Sequence, residues 1–297
     1  VALNWYPEPE FGGFYQAEID GLYARERLAV TIQPGGAGAP VIPQVATGRA
    51  QFGVSMADEV VLARAQGADV VTVFATFQTH PLGIMVHGSR GLTDLAQLTS
   101  GTLAVEDGIP YAQFLFAKYD WKGLTRVPYG GGVTQFLLDP NYAQQVYVTS
   151  EPILARKQGA DPKVFMVADT GYNPYAAVVI TSGKLVAENP ELVERFVRAT
   201  RDGWGAYLRD GATANARIHE LNPTMEVDVL QKSWEAQKPL IEGGAAATGG
   251  LGVMELGRWT TLIEQLTTLG ALTTPVPAES VFTSRFVSPP ANAQPKP

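Results

Sequence analysis

The chain opens with a stretch that concentrates aromatic and acidic side chains around a bend, "LNWYPEPEFGGFYQAEIDGLY", residues 3–23. Pro7 and Pro9 interrupt an extended pattern, and a helical spacing follows the two glycines. Aromatic rings can stack on a flat ligand, and Glu8 and Glu10 add acidic surface to the same bend. The residue types therefore predict a binding turn rather than a simple connection.

Two glycine clusters lie between a predicted strand and a predicted helix, "PGGAGAP" at residues 34–40 and "YGGGVT" at residues 129–134. Such turns expose backbone N–H groups and the positive end of a helix, which favours a polar or anionic ligand group. Either cluster alone is equally well explained by the need for a tight turn. Their equivalent positions in two halves of the chain favour binding, with donors from turns 36–39 and 131–134.

Further aromatic and acidic residues occupy the ends of predicted strands and the starts of helices. For any single aromatic residue, packing in the core is the simpler explanation. Asp58 in "SMADE" and Glu151 in "TSEP" could accept hydrogen bonds from a ligand, and several rings could stack on it. The predicted ligand-binding residues are Asn4, Trp5, Phe11, Tyr15, Gly36, Ala37, Met56, Asp58, Phe77, Tyr111, Tyr129, Gly131, Glu151 and Tyr172.

Catalytic motifs are scarce. The three histidines, His80, His87 and His219, are far apart in sequence and belong to no metal-binding motif, and the chain has no cysteine. The G-x-S-x-G, P-loop and G-x-G-x-x-G patterns do not occur. We therefore predict a protein without catalytic residues, bound metal or cofactor.

The elements that would position these residues alternate regularly. From Leu3 to Asp169, short β-branched runs, Gly- or Pro-marked turns and amphipathic helices follow one another, which is typical of βα units on a mostly parallel sheet. Predicted strands include "LNWY", "AVTIQP", "QFGVS", the central buried strand "DVVTVFATFQ", "GTLAVED" and "YAAVVITS". Predicted helices include 14–27, 40–47, 92–98, 110–119, 190–209, 213–221, 227–238 and 254–269.

This order predicts an α/β protein with two lobes. Residues 1–82 and 178–297 would form a discontinuous first lobe, and residues 83–177 an inserted second lobe. The two crossings, "PLGIMV" and "YAAVVI", would form a hinge. Ligands of open α/β sheets bind beyond the carboxyl ends of the strands, so the lobes would face each other across a ligand cleft. The Pro-rich tail, residues 273–297, is predicted to wrap over the surface or to be disordered.

Composition excludes several classes of function. The chain has 297 residues, 45% of them hydrophobic and 17% charged, and a net charge of −7. The 22 basic residues form no stripe that could follow a phosphate backbone, so nucleic acid is not an expected partner. No apolar run reaches the roughly 18 residues of a membrane span. The chain begins at Val1 without Met, and we expect that a targeting segment has been removed.

Four stretches resemble the NMT1/THI5-like substrate-binding proteins of ABC importers, relatives of the thiamine-pyrimidine binders. The resemblance extends from about residue 3 to residue 208, in the order of the family. The stretches are "LNWYPEPEFGGFYQA", "VIPQVATGRAQFGVSMADEVVLARAQG", "VPYGGGVTQFLLD" and "VTSEPILARKQGADP". The resemblance implies a type II periplasmic-binding-protein fold whose lobes close on the ligand, and export to the periplasm or to the outer face of the membrane.

The opening motif departs from the family pattern W-x-P-N-x-x-H-A-G-x-Y at two positions. Trp5, Pro7, Gly13 and Tyr15 are kept, but Glu8 replaces the usual asparagine, and Phe11 stands where histidine is common. Phenylalanine removes a hydrogen-bond partner and adds a stacking face, which favours a larger or more apolar ring. Fungal relatives that form pyrimidines use that histidine and a cysteine motif, so the resemblance gives the enzymatic branch little support.

These observations favour an extracytoplasmic receptor that captures a small planar nitrogen heterocycle, a thiamine pyrimidine precursor or possibly a flavin, by hinge closure. The expected partners are that ligand and an ABC permease, and we expect a monomer. Three alternatives remain open: a receptor for an alkylsulfonate or another small organic anion, a pyrimidine-forming enzyme, and a sensory module that presents its ligand to a receptor.

Overall fold

The computed structural model describes residues 1–106 and 108–287, within which eight strands and thirteen α-helices are present. The strands are β1 (Gly53–Ser55), β2 (Val71–Phe77), β3 (Leu82–His87), β4 (Gly101–Val105), β5 (Leu124–Pro128), β6 (Tyr142–Tyr147), β7 (Pro162–Met166) and β8 (Ala176–Thr181). The helices are α1 (Gly12–Ile19), α2 (Leu22–Arg25), α3 (Val41–Ala46), α4 (Ala57–Ala65), α5 (Pro110–Tyr119), α6 (Thr134–Leu138), α7 (Glu151–Lys157), α8 (Gly183–Glu188), α9 (Pro190–Arg209), α10 (Ala212–Leu221), α11 (Val227–Glu242), α12 (Ala246–Gly249) and α13 (Leu256–Thr268).

Two separate sheets confirm the expected α/β architecture. One has the strand order β1-β8-β2, and the other has the order β5-β4-β6-β3-β7. The chain passes from the first sheet to the second after β2 and returns before β8, so residues 78–81 and 167–175 are the crossings between them. "PLGIMV" and "YAAVVI", predicted as the strand crossings, form most of β3 and β8, the strands that directly follow the two connections. Their uninterrupted apolar sequence suits a buried strand.

The prediction of a mostly parallel arrangement is wrong for both sheets. β8 runs antiparallel to β1 and β2, and β3 runs antiparallel to β6 and β7. Only β4 has parallel neighbours on both sides, β5 and β6. Each antiparallel strand directly follows a crossing rather than a helix of its own sheet, so the right-handed βαβ rule does not fix its direction.

The first two predicted strands, "LNWY" and "AVTIQP", are reduced to isolated parallel bridges that join Ala2 to Gln33 and to Gly53. Four backbone hydrogen bonds accompany them: Leu3 N to Gln33 O and Gln33 N to Val1 O, both at 2.9 Å, Ala2 N to Phe52 O at 3.0 Å and Val54 N to Ala2 O at 2.8 Å. Pro7 and Pro34 follow closely and cannot donate to a ladder, so the pairing ends after a few residues.

Strand β2 is buried as predicted, but β8 rather than β2 occupies the centre of the first sheet. The free edge of β2 is covered by bridges from Thr72 to Phe282 and from Ala75 to Gly252. The first part of the predicted tail therefore packs against the sheet, with Val281 buried. Residues 288–297 of that tail, and Asp107 at the end of the predicted strand "GTLAVED", lie outside the described residues.

Two helix predictions need correction. The helix predicted at 14–27 divides into α1 and α2 at Gly21, which adopts a positive φ of 65°. The helix predicted at 92–98 is only a 3-10 turn, Leu95–Gln97, capped by Asp94. It cannot extend because β4 begins at Gly101, whose φ of 101° only glycine readily adopts.

The bend at the start of the chain is fixed to the body of the first sheet by a close approach of glycine backbone to aromatic rings. A Cβ atom at Gly12 would overlap the ring of Tyr207, and one at Gly13 would overlap the indole of Trp204. Both rings belong to α9, which also carries Phe196 into the same buried cluster. Because there is no side chain at either glycine, α1 can lie directly on α9.

Arg258 of α13 joins the two crossings. Its guanidinium donates one hydrogen bond to Gln78 O at 2.6 Å and another to Asn173 O at 2.7 Å, and it stacks over Tyr175 at 3.8 Å from the ring centre. The Asn173 side chain accepts from His80 N at 2.9 Å. One cation thus satisfies backbone carbonyls from both connections, which we call the crossing region.

Within the described residues, no helix combines the length and the apolar character needed to cross a membrane.

Candidate functional site

Asp58, predicted from the sequence as a polar contact, lies in the first turn of α4 and is buried. It accepts a hydrogen bond from Tyr172 Oη at 3.0 Å and one from Glu59 N at 2.9 Å. Burial, together with the nearby charge of Glu59, raises its pKa to about 6, and the bond from Tyr172 acts in the opposite direction. The structure therefore brings together two of the predicted residues, one from α4 and one from the second crossing.

Glu151, at the first position of α7, is held by two donors from the second sheet. Tyr129 Oη donates to Oε1 at 2.9 Å, and the Tyr147 backbone N donates to Oε2 at 2.8 Å. The position at a helix start favours a carboxylate through the helix dipole. Burial nevertheless raises the pKa of Glu151, and these bonds only partly offset that effect.

The bend that carries Glu8 and Glu10 lies within electrostatic range of Glu151 and is held in place by two hydrogen bonds. Asn222 Nδ2 donates to Pro7 O and Gln237 Nε2 donates to Pro9 O, each at 3.1 Å. These bonds tie the bend to α10 and α11, so the two carboxylates are presented on a fixed turn.

The carboxylates of Glu8, Glu10 and Glu151 form a set that we call the acidic site. Burial, followed by the charge of Glu151, raises the pKa of Glu8 to about 7, while a hydrogen bond from Trp5 lowers it. Burial and the charges of Glu8 and Glu151 hold the pKa of Glu10 well above its usual range. No Lys, Arg or His contributes to any of these shifts within the described residues. The acidic site therefore repels anions and attracts a cation or an N–H donor.

Tyr147 connects the two sides of the site. Its ring lies edge-on to His80, and its hydroxyl is 3.7 Å from Met56 Sδ at the start of α4. Burial, and then the charges of Glu10 and Asp58 among others, raise its pKa. Tyr147 thus remains neutral and can offer its hydroxyl as a donor.

Tyr111 makes its hydrogen bond within a separate polar cluster. Its hydroxyl donates to the side-chain oxygen of Gln145, which also accepts from Glu106 N at 2.6 Å. Gln145 Nε2 in turn donates to Glu106 Oε2 at 3.2 Å. This cluster lies at the end of β4, and the ligand role predicted for Tyr111 stays a prediction.

The first glycine loop, which includes Gly36 and Ala37, borders a cavity of about 400 Å³ together with α3. Two of the loop's N–H groups are already used, because Gly35 N donates to Trp5 O and Ala39 N donates to Gly36 O, both at 3.0 Å. Gly36 lies against the ring of Tyr6, on which Trp5 packs edge-on at 5.3 Å between ring centres. The loop is thereby joined to the opening bend.

The second glycine loop lies near the acidic site, but its contacts are internal. Gly131 and Gly132 have φ values of 83° and 68°, and Gly132 O accepts from Gln144 Nε2 at 2.8 Å. The turn therefore needs glycine for its conformation. The predicted role of Gly131 as a backbone donor to a ligand stays a prediction.

Three predicted aromatic contacts, Phe11, Tyr15 and Phe77, belong to the buried cluster around Trp204. Each is at most 1% exposed, so core packing accounts for them in this structure. Trp5 and its neighbour Tyr6 differ, being 39% and 50% exposed. Asn4, between the bridge at Ala2 and Trp5, keeps its buried Oδ1 without a hydrogen-bond partner among the described residues.

The sequence set omitted Tyr147, Glu8 and Glu10 as site residues. Tyr147 could have been found from its position at the carboxyl end of a strand, four residues before Glu151. The two glutamates were visible in the bend, but sequence alone did not show that they face a carboxylate of the other sheet.

An ion pair on the outer side joins α7 to α11. Lys157 Nζ lies 2.8 Å from Glu226 Oε2 and 2.7 Å from Asp228 Oδ1. α7 thus carries Glu151 of the acidic site at one end and a contact with the helices of the first sheet at the other.

Comparison with known proteins identifies the family. A sequence model described as NMT1/THI5 like matches residues 8–214, more than half of the chain and including all three carboxylates of the acidic site. The chain belongs to the NMT1/THI5-like family. This confirms the resemblance found in the sequence.

Curated relatives of this NMT1/THI5-like chain carry different names. The riboflavin-binding protein RibY of Chloroflexus aurantiacus is 27% identical, with 97% of this chain and 85% of the relative covered. The formylaminopyrimidine-binding protein of Halalkalibacterium halodurans is 24% identical, with 96% and 89% covered. The 4-amino-5-hydroxymethyl-2-methylpyrimidine phosphate synthase of Candida albicans is also 24% identical, with 78% and 74% covered.

Among solved structures, the periplasmic aliphatic sulphonate binding protein SsuA of Escherichia coli superimposes with a TM-score of 0.71 at 12% identity. The match covers 94% of this chain and 90% of that protein. This NMT1/THI5-like chain thus has the two-lobed periplasmic-binding-protein fold, as expected from the sequence. At so low an identity, the likeness concerns the fold and not the ligand.

Proposed function

We propose that this NMT1/THI5-like chain is the extracytoplasmic solute-binding receptor of an ABC importer and that it captures a small planar nitrogen heterocycle. The observation that carries the proposal is the acidic site, in which carboxylates from the opening bend and from α7 face each other. Carboxylates accept hydrogen bonds from the N–H groups of aminopyrimidines and from the N–H and hydroxyl groups of flavins. Two relatives named as riboflavin- and formylaminopyrimidine-binding proteins support this ligand class.

Closure between two lobes would provide the mechanism. We place the lobe boundaries in the crossing region, so that Glu8 and Glu10 belong to the first lobe and Glu151 to the second. A ligand that bridges these carboxylates makes its full set of contacts only in the closed state. Its binding energy therefore shifts the population towards closure, which a permease would recognise.

Electrostatics argues against an organic anion as the ligand. A sulfonate in the acidic site would lie beside buried carboxylates, without a basic residue among the groups that shift their pKa values. Like charges in a poorly solvated site repel strongly. The likeness to the sulphonate-binding protein therefore supports the fold but not that ligand.

Isothermal titration calorimetry with riboflavin, a formylaminopyrimidine and hexanesulfonate tests the proposal. We expect at least one heterocycle to bind with a Kd below about 10 μM and hexanesulfonate to give no heat, since ordered binding sites reach such affinities easily. Binding of hexanesulfonate alone, or of none of the three, would contradict the proposal. Conversion of a bound pyrimidine into a product would favour the enzyme alternative that the synthase relative represents.

A further inference from the structure

Glu10 differs from the other acidic residues near the site because no described residue donates a hydrogen bond to its carboxylate. The residue is only 7% exposed, and among the described residues no hydrogen bond or ion pair involves its side chain. It lies in the 3-10 turn Pro9–Phe11, between a backbone carbonyl held by Gln237 and the buried ring of Phe11. The backbone around Glu10 is therefore fixed, while its carboxylate makes no bond to the described residues and is not among the fully buried polar atoms that lack a partner.

The neighbouring acids have donors. Glu151 accepts from a tyrosine hydroxyl and a backbone N–H, Asp58 accepts from Tyr172 and a backbone N–H, and Glu8 has Trp5. Charge on a largely buried carboxylate that lacks such bonds is unfavourable. A protein that satisfies its other buried acids has a specific deficit at this one position.

The charged and titratable groups that face Glu10 do not relieve this deficit. Glu8 lies on the same bend, Glu151 on α7 and Tyr147 on β6, and each is acidic or neutral. The charges of Glu8 and Glu151 act on Glu10, and the charge of Glu10 acts on Tyr147, so its carboxylate lies within electrostatic range of residues of the second sheet. No described basic residue neutralises the Glu10 carboxylate. Its negative charge must therefore be balanced by a cation from outside the chain or removed by a proton.

We propose that Glu10 is the residue that selects a ligand carrying a positively charged nitrogen, a protonated primary amine or an amidinium group, with Glu151 as the opposite acceptor. The inference rests on the proposed function and narrows it from planar nitrogen heterocycles to cationic ones. A cationic nitrogen supplies several donors to the acidic site and balances its charge, which a neutral amide cannot do.

Binding is then an exchange of one cation for another. In the ligand-free site a proton on Glu10, or one shared with Glu8 and Glu151, lowers the cost of burial. The entering ammonium takes the place of that proton, which passes to the buffer, and no covalent bond changes. A neutral ligand leaves the proton where it is, so the two kinds of ligand differ in proton release as well as in affinity.

A matched pair of probes separates charge from shape. 4-Amino-5-aminomethyl-2-methylpyrimidine carries a protonated amine at neutral pH, whereas its N-formyl derivative is a neutral amide of the same ring. We expect the amine to bind wild-type protein at least about tenfold more tightly, since a hydrogen bond to a charged group contributes about 1.5–3 kcal/mol. Titration in buffers of different ionisation enthalpy should show proton release with the amine and none with the formyl derivative.

Glu10→Gln keeps the shape of the side chain and removes its charge. We expect this variant to lose the preference for the amine to within about twofold and to lose the proton release, while it melts at or above the wild-type temperature because an unpaired buried acid is gone. Glu188→Gln, at an exposed position at the end of α8, is the matched control and should retain both properties.

The outcomes distinguish the inference from the function on which it rests. If riboflavin or the formyl derivative binds at least as tightly as the amine, and Glu10→Gln leaves that order unchanged, then the chain is a heterocycle receptor but Glu10 does not select a cation. If no heterocycle binds wild-type protein, then the proposed function itself is wrong, and the inference is overturned with it.

Discussion

In the crossing region, the Arg258 guanidinium satisfies a carbonyl from each connection, whereas in the acidic site Glu10, only 7% exposed, has no donor for its carboxylate among the described residues. Tyr147 links the two regions, because its ring contacts His80 and the charge of Glu10 raises its pKa. A satisfied network fixes one geometry, while an unsatisfied group leaves binding free energy available to a partner. The contrast separates the part of the junction that positions the lobes from the part that awaits a ligand.

The largest expected effect on stability comes from removing the hydrogen bonds of Arg258 in the crossing region. Arg258→Met removes both donors and leaves the carbonyls of Gln78 and Asn173 without their charged partner, so we expect the free energy of unfolding to fall by about 3 kcal/mol. Urea denaturation followed by circular dichroism measures this change. Arg49→Met, at an exposed position, is the control, and an equal loss in both variants would mean that Arg258 has no special role.

Tyr172→Phe tests a polar contact that borders both regions. The buried Asp58 carboxylate loses the donor at 3.0 Å, and we expect a loss of about 2 kcal/mol in the free energy of unfolding. Tyr119→Phe removes a hydroxyl that makes no hydrogen bond to the described residues and should change stability by less than about 0.5 kcal/mol. Comparable losses in the two variants would contradict the assigned contact.

Stability should change with pH in opposite directions for a residue of the acidic site and a residue of the crossing region. The raised pKa of Glu8, about 7 against an ordinary 4.5, contributes stability that is fully present below about pH 4.5 and is lost as pH rises through 7. Burial lowers the pKa of His80 in the crossing region to about 3, so its contribution is present above about pH 6.5 and is lost as pH falls towards 3.

Comparing Glu8→Gln with wild-type protein cancels the histidine contribution common to both. We expect the variant to lose about 1 kcal/mol less stability than wild type between pH 5 and pH 7, allowing for the partial exposure of Glu8. Melting temperatures at half-unit pH intervals measure the difference. Parallel profiles for the two proteins would show that Glu8 titrates as it does in the unfolded chain.

The smallest expected effect concerns the outer ion pair of Lys157 with Glu226 and Asp228. Lys157→Met should speed ligand release less than about fivefold at low salt and hardly at all at 0.5 M salt, because exposed ion pairs are weak and screened. Stopped-flow release of a bound heterocycle measures this, with Lys184→Met as the control. A salt-independent acceleration would assign the effect to lost packing instead.

Much of the fold followed from local sequence signals. Helix α9 was predicted with its observed bounds, 190–209, because Asn189 caps it, Pro190 begins it and an apolar face recurs along it. Strand direction could not be predicted in the same way. The antiparallel placement of β8 depends on where the second crossing enters the first sheet, and no residue within the strand encodes that.

The candidate site was also predicted only where local sequence signals were sufficient. Asp58 and Glu151 were found because each lies in the first turn of a helix that follows a strand, where a local pattern predicts exposure to a ligand. Glu10 was missed as a site residue because its significance depends on burial against a carboxylate from a distant part of the chain. Local patterns indicate which side chains are present, but not which of them remain unsatisfied after folding.

The contact of Gly12 and Gly13 with the rings of Tyr207 and Trp204 divides the opening motif into two parts for protein engineering. Any larger residue at these positions must displace an aromatic ring of α9, so a library that varies them would consist mostly of misfolded variants. Trp5 and Tyr6 are exposed, so exchanging them disturbs the core least. A biosensor for a new ligand is therefore best built by varying the first half of this motif while its second half is kept unchanged.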